Sequence, residues 1–303
     1  DLANGAPNDP VFTSLLADIP QTTNQTTESV AAFFEGDWRI NDQWTLTLGG
    51  RYTEDEKTSA QFGEVNTLSG GRTSHPSDKW DEFTPRVGLK YHVTEDVMLY
   101  ATYSVGYRSG GFNGRVASLA EAVQPYEPET VTNIEVGVKS ELFDNRLRLN
   151  ATVFSMDYED KQEELQLPSN ETDTGQKTVV INPSTATIQG VEIDVQAYIV
   201  EGLSMRANLG YLDSEYDVFV YEDIEGAIVD LSALDFRRAP EFTGTIAATY
   251  EWDLGPGRAW LTGSYRYIGE HFTSITNNIE SANDSQAMMD CITTDSAAAL
   301  QLS

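Results

Sequence analysis

Residues 30–52 read Val30-Ala31-Ala32-Phe33-Phe34-Glu35-Gly36-Asp37-Trp38-Arg39-Ile40-Asn41-Asp42-Gln43-Trp44-Thr45-Leu46-Thr47-Leu48-Gly49-Gly50-Arg51-Tyr52. Val30, Ala32, Phe34, Gly36, Trp38 and Ile40 occupy alternate positions, and Glu35, Asp37 and Arg39 fall between them. Successive side chains of a strand point to opposite faces, so this is a strand with one apolar and one polar side. After Asn41-Asp42-Gln43 the alternation resumes, with Trp44, Leu46, Leu48, Gly50 and Tyr52 set against Thr45, Thr47 and Arg51. Two such strands across three polar residues predict a tight antiparallel hairpin.

The same period recurs in eight more segments, beginning near Pro85, Val97, Ile134, Leu147, Val191, Leu203, Phe242 and Leu261. In all ten the apolar face is free of charge, while Arg86, Glu135, Arg148, Glu192, Asp194 and Arg206 sit on the other face. A soluble sandwich produces the same alternation, so the connections decide. Short links at Asn41–Gln43, Thr94–Asp96, Phe143–Arg146, Val200–Gly202 and Gly255–Arg258 alternate with long polar stretches near 57–79, 109–129, 164–178 and 217–238. Transmembrane β-barrels have short periplasmic turns and long extracellular loops, which is this asymmetry. Trp38, Trp44, Trp252 and Trp260 flank short turns, and Tyr52, Tyr107, Tyr211 and Tyr267 gather toward the long-loop ends, as two aromatic girdles would. The spacing of the short turns also approaches a propeller repeat, but each period holds two long strands where a blade needs four short ones.

Composition narrows the function classes. The 303 residues carry 48 Asp and Glu against 19 Lys and Arg, a formal charge of −29. Such a deficit of cations excludes nucleic acid as a partner. A single cysteine, Cys291, excludes an internal disulfide, and three scattered histidines, His75, His92 and His271, give no metal-binding cluster. The longest uncharged apolar run, Val30–Phe34, is far shorter than the ~20 residues a spanning helix requires. No leader pattern precedes Asp1, so a signal peptide is expected to be cleaved or to lie outside this sequence.

The stretch Tyr103-Ser104-Val105-Gly106-Tyr107-Arg108-Ser109-Gly110-Gly111-Phe112-Asn113 adds family information. In order with it come Glu28-Ser29-Val30-Ala31-Ala32-Phe33, Thr47–Thr53, Thr84-Pro85-Arg86, Tyr126-Glu127-Pro128-Glu129, Asn133–Ser140 and Ile188-Gln189-Gly190-Val191-Glu192. Together, over residues 28–272, they resemble the barrel of a TonB-dependent outer-membrane receptor. The resemblance implies an all-β, antiparallel up-and-down barrel of 22 strands, of which about ten are present. It also implies location in the bacterial outer membrane, contact with lipid and lipopolysaccharide, and a monomer when complete. The family's barrel is plugged by an N-terminal domain, binds most often a ferric siderophore, and is energised by the TonB complex through that N-terminal region. Residues 1–303 are expected to be an internal piece of the barrel, without plug, TonB box, first strands or last strands, and 273–303 a loop or uncertain tail. With two unpaired strand edges, the piece alone is expected not to form a stable, active transporter.

Candidate site residues follow from the register. Arg51, Arg86, Glu135, Glu192 and Asp194 lie on the polar face and are expected to line the lumen, as solvated ion pairs or as plug contacts. Arg108, near the extracellular end, and Phe112 beside it are the candidates for binding an anionic metal chelate, since guanidinium recognises carboxylates bidentately. Gly49-Gly50 and Gly110-Gly111 precede no helix or GK[ST] ending and read as bulges or loop exits. The acids between Asp213 and Asp235 lack the spacing of a preformed calcium loop and read as a solvated acidic loop. No nucleophile–base arrangement is present, so no catalytic residues, cofactor or protein-bound metal are expected. A passive porin-like channel is the alternative function, and a soluble β-propeller or sandwich module a more distant one.

Overall fold

The computed structural model describes residues 21–63, 72–114, 119–168, 176–223, 226–275, 291–292 and 297–302. Its strands are β1 (Gln21–Arg39), β2 (Trp44–Gly63), β3 (Arg72–Ser74), β4 (Ser77–His92), β5 (Val97–Arg108) and β6 (Gly111–Phe112). After a five-residue helix α1 (Leu119–Val123) follow β7 (Pro125–Tyr126), β8 (Glu129–Leu142), β9 (Leu147–Pro168), β10 (Gln176–Val200), β11 (Leu203–Glu222) and β12 (Ile228–Asp230). The chain continues with β13 (Phe242–Leu254), β14 (Gly257–Ile268), β15 (His271–Phe272), β16 (Cys291–Ile292) and β17 (Ala297–Leu302). One antiparallel sheet takes the long strands in chain order, β1-β2-β4-β5-β8-β9-β10-β11-β13-β14-β17, with β3 and β12 paired to β2 and β11. It is an up-and-down sheet, and among the described residues its two edges do not meet.

All five short links form turns where expected, and at Thr94–Asp96 the Asp96 N–H donates to Thr94 Oγ1 at 3.2 Å. Asn41 Oδ1 accepts hydrogen bonds from the backbone N–H groups of Gln43 and Trp44, both at 2.9 Å. Phe143, Asp144 and Asn145 take φ of 57, 55 and 63°, and Gly202 and Gly255 reach 81 and 59°, the last two at no steric cost.

The strands run longer than the alternation alone indicated. Membrane crossing takes about 9–11 residues of a tilted strand, yet β10 has 25 and β9 has 22. Parts of the expected loops at 57–79, 164–178 and 217–238 are therefore strand, and the acidic stretch from Asp213 runs in β11 as far as Glu222. Backbone hydrogen bonding continues because each hairpin arm supplies the other's partner. Residues 273–303 are described only at 273–275, 291–292 and 297–302, where β17 pairs with β14.

The apolar positions form a continuous exposed band: Trp38 is 65% exposed, Val136 55% and Val153 59%. Following the register across the sheet, Trp38 pairs with Leu46, then come Leu89, Ala101, Val136, Val153, Val191, Tyr211 and Phe242. The row begins beside a short turn on β1 and ends at the long-loop end of β13. Strands that climb in this way are tilted against the sheet's long axis, as closure into a barrel demands.

Candidate functional site

On the polar face, glycine lets acids reach across the sheet. Glu35, Gly49 and Arg86 are consecutive cross-strand partners, and Arg86 Nη1 lies 3.8 Å from Glu35 Oε2 above the bare Gly49. Asp37 accepts from Thr47 Oγ1 at 2.5 Å and pairs with Lys90 at 3.7 Å. Arg51 Nε donates to Thr53 Oγ1 at 3.0 Å. The Arg86–Glu35 and Lys90–Asp37 pairs are more than two-fifths exposed and screened by solvent, so they add little to stability. They organise a water-facing wall more than they stabilise it.

Further along, Tyr100 donates to Glu135 Oε1 at 2.5 Å and shares a 2.9 Å hydrogen bond with Thr152. Its ring covers Gly137, where a Cβ would stand 2.6 Å from Tyr100 Cε1. Phe154 covers Gly190 in the same manner. Asn208 donates to Asp194 Oδ2 at 2.5 Å. Glu192, Asp194, Asn150, Arg238, Arg266 and His271 border an open cleft of about 660 Å³. The structure thus brings Glu192 and Asp194 together at this cleft, sets Glu135 beside Tyr100, and leaves Arg51, Arg86 and Arg108 on β2, β4 and β5.

At the long-loop end the motif residues 103–113 and 126–129 meet. The short ribbon β6–β7 pairs Gly111 with Tyr126 and Phe112 with Pro125. Phe112 is buried, 6% exposed, with its ring 6.1 Å from that of Trp80. A Cβ on Gly110 would lie 2.3 Å from Tyr126 O, and one on Gly111 2.5 Å from the Tyr126 hydroxyl, so the glycine pair permits this approach. Lys57 Nζ donates to Gly110 O at 2.5 Å and stands 5.8 Å from the Trp80 ring centre. Partial burial there pulls the Lys57 ammonium below its ordinary pKa, with Arg108 adding to the shift and Asp55 opposing it.

Three amide side chains tie this ribbon to the neighbouring strands. Asn113 donates to Val180 O at 2.9 Å and accepts from Val180 N at 2.6 Å, imitating a β-ladder pair. Asn182 donates to Glu127 O at 2.9 Å and to Asp160 O at 2.6 Å, and accepts from Glu127 N at 2.8 Å. Gln162 donates to Ser109 O and Glu127 O at 3.1 and 3.0 Å, while its backbone N–H binds Glu129 Oε2 at 2.7 Å. Glu129, so held, places its other oxygen 3.9 Å from Arg108 Nη1, and the Arg108 side chain stays 64% exposed. Arg108 thus faces Glu129 without a hydrogen bond and is open to solution, whereas Phe112 is buried against Trp80.

Above β9–β11 a compact cluster forms where alternation breaks. Asp160 has φ 51°, and the β9–β10 register shifts on either side of Ser184, so each strand gains one residue there. An extra residue turns every later side chain to the opposite face. Lys161, Glu163 and Leu165 consequently point the same way as Glu192 and Asp194. Glu163, its side chain 2% exposed, pairs with Lys161 and accepts from Tyr216 Oη at 2.8 Å. Burial pushes the Tyr216 phenol well above its usual range, and Glu163 adds to the shift. Leu165, Ala186, Phe219, Phe236 and Ile275 complete this small core, with Phe236 stacked on Tyr216 at 4.1 Å. Among the described residues, no group of three or more His, Cys, Asp or Glu is placed to hold a metal ion.

Asn113 and Glu129 lie within quoted motifs, but Gln162, Asn182 and Lys161–Glu163 carry no local signal. Only the tertiary pairing reveals them. Arg266 falls on the polar face of β14 by alternation, whereas Arg238 comes from a connection and His271 from the two-residue strand β15.

An antiparallel sheet with an exposed apolar band on one side, an ion-paired wall on the other and tall hairpins at one end defines an outer-membrane β-barrel protein. Residues 2–296 match the family model described as "TonB dependent receptor-like, beta-barrel". The chain belongs to this family, whose members are bacterial outer-membrane transporters and not enzymes. It is 24% identical over 194 residues to a probable TonB-dependent siderophore receptor, PiuA, of Acinetobacter baumannii, covering 63% of this chain and 24% of that protein. It is 24% identical over 252 residues to the metal-pseudopaline receptor CntO of Pseudomonas aeruginosa, covering 80% of this chain and 31% of that one. The crystal structure of the ferric yersiniabactin uptake receptor FyuA of Yersinia pestis superposes with a TM-score of 0.70 at 19% identity, over 93% of this chain and 38% of that chain. The chain thus spans about a quarter to a third of the length of these curated relatives.

Proposed function

We propose that this chain is part of the barrel wall of a TonB-energised receptor that imports a scarce ligand, a ferric siderophore or similar metal chelate. The relatives described as receptors for siderophores and for metal-pseudopaline support that ligand class. The observation that carries the reading is Arg108: an exposed guanidinium 3.9 Å from the Glu129 carboxylate at the mouth, beside a ribbon locked by Asn113, Gln162 and Asn182. A cation held open at the rim suits an anionic chelate, because guanidinium binds carboxylate oxygens in pairs. Phe112 acts as a positioning residue through Trp80. Arg51, Arg86, Glu135, Glu192 and Asp194 form the polar lining against which a plug is seated, and TonB engages the N-terminal region of the whole receptor, which acts as a monomer.

The test is uptake of radiolabelled ferric chelates by iron-starved cells expressing the whole receptor, with and without TonB. Uptake that needs TonB, and an Arg108→Ala variant that is normally folded but binds its chelate about tenfold more weakly, fit the proposal; loss of one charge-assisted contact of about 1.4 kcal/mol corresponds to that factor. Uptake that is unsaturable and indifferent to TonB identifies a passive porin-like channel instead.

A further inference from the structure

Acids outnumber bases 48 to 19 in this chain, so an arginine that no acid neutralises is out of the ordinary. Two such arginines border the open cleft on the polar face. Arg238 and Arg266 are both exposed, and neither makes an ion pair or a side-chain hydrogen bond among the described residues. Arg266 is placed by the ladder: Asp194, Asn208, Thr245 and Arg266 are consecutive cross-strand partners on β10, β11, β13 and β14. Three strand spacings separate the backbones of Asp194 and Arg266 by about 14 Å, and Asp194 is already engaged by Asn208. Arg238 is held in a left-handed conformation, φ 56°, by its N–H bond to Phe272 O at 2.7 Å. Such strain in a residue with a side chain persists only where the surroundings impose it, and it gathers at ligand clamps. Between the two ends of the cleft lies Gly210, the partner of Glu192 and of Thr243. A Cβ there would stand 2.8 Å from Thr243 Oγ1, so bare backbone forms the floor.

We propose that Arg238 and Arg266 form a second carboxylate-binding subsite, on the lumen wall, for a small anion with free carboxylate groups. The subsite rests on the import of an anionic chelate proposed above, and it names carboxylates not taken up by the metal as what the wall recognises. A guanidinium presents its donors in a planar fork that matches a carboxylate, and two unneutralised ones at one cleft raise the local positive potential. The cleft's volume of about 660 Å³ lies in the ~300–1,000 Å³ range of specific small-molecule sites. Arg238 belongs to the connection that leads into β13, and Arg266 lies two residues before the end of β14, so the cationic half is at the long-loop end. Asp194 pairs with Asn150, the fourth residue of β9 after a short turn, so the acidic half lies toward the other end. An anion entering from outside is drawn to the arginines and repelled by Glu192 and Asp194 from going further, which holds it at the upper wall. A carboxylate side chain of a plug would satisfy the same arginines, and the experiment separates the two sources.

The experiment treats the whole receptor with phenylglyoxal, which modifies free guanidinium groups, and maps the adducts by mass spectrometry with metal-free citrate as the probe carboxylate. The expected result is modification of Arg238 and Arg266 in buffer, reduced severalfold by citrate and not by sodium chloride at equal ionic strength. At Arg206, which lies outside the cleft on β11, citrate should change nothing. Modification that citrate does not reduce overturns the subsite. Two arginines that stay unmodified without citrate, in a receptor whose Arg206 reacts, overturn it in favour of a plug carboxylate. A second measurement follows labelled citrate by equilibrium dialysis. The Arg238→Gln, Arg266→Gln double variant, shown to be folded by heat-dependent gel migration, should bind at least severalfold more weakly than wild type, and equal affinity overturns the subsite. Neither measurement needs TonB or transport, so a failed subsite leaves TonB-dependent uptake to stand or fall by its own test.

Discussion

Replacing Val136 by arginine tests the assignment of the two faces at its most demanding point. Val136 lies seven residues before the Phe143 turn, near the middle of a membrane crossing of about 9–11 residues. It is 55% exposed, with Ala101 and Val153 as its cross-strand partners, and the band around it offers no counter-charge. An arginine on the lipid face of a barrel near the bilayer midplane costs about 2–4 kcal/mol. At about 1.4 kcal/mol per factor of ten, the folding equilibrium should fall by roughly 30- to 1,000-fold. The control is Asn150→Lys, on the opposite face of the neighbouring strand, where Asp194 is its cross-strand partner. That substitution meets water, with Asp194 opposite on one strand and Lys139 opposite on the other, so attraction and repulsion offset and the cost should stay within about 0.5 kcal/mol of wild type. Denaturant titration of the whole receptor in vesicles, read by the heat-dependent gel migration of folded barrels, measures both. Equal costs for the two variants, or a greater cost for Asn150→Lys, would falsify the assignment of the apolar band to lipid.

Other substitutions probe the mouth. Lys161→Met leaves the Glu163 carboxylate buried without its cation and should destabilise the β9–β11 hairpins by about 3–5 kcal/mol, whereas Lys161→Met with Glu163→Leu should recover most of the loss. Proteolysis rates across residues 157–222 separate the two, and equal sensitivity refutes the buried pair. Gly110→Ala drives a Cβ into the Tyr126 backbone oxygen and should cost about 1–3 kcal/mol of local stability; Gly111→Ala, facing a side-chain hydroxyl that can swing away, should cost less. The reverse ranking in hydrogen exchange of β6 would contradict the close-approach argument. Asp230 accepts hydrogen bonds from Ser232 N and Oγ at 2.9 and 2.6 Å, and the side-chain and backbone bonds together hold its pKa below the ordinary 3.8. Its contribution to loop order is thus fully present above pH 3.8 and fades as pH falls through the lowered value. The protection factor of the Ser232 amide, taken relative to its intrinsic exchange rate at each pH, should fall in acid, and Asp230→Asn should remove that dependence.

The alternation from Val30 to Tyr52, repeated along the chain, determines strand identity, the lipid-facing side and the short turns, because a period of two leaves one choice of face once charges are excluded from lipid. Link lengths settle which end is extracellular, and the ordered motifs settle the family. The mouth is different. Alternation fails there because extra residues at Asp160 and before Ser184 invert the faces, so Leu165 reads as loop while it forms part of a core. The clasp of Asn113, Gln162 and Asn182 joins residues more than fifty positions apart, which no local pattern encodes.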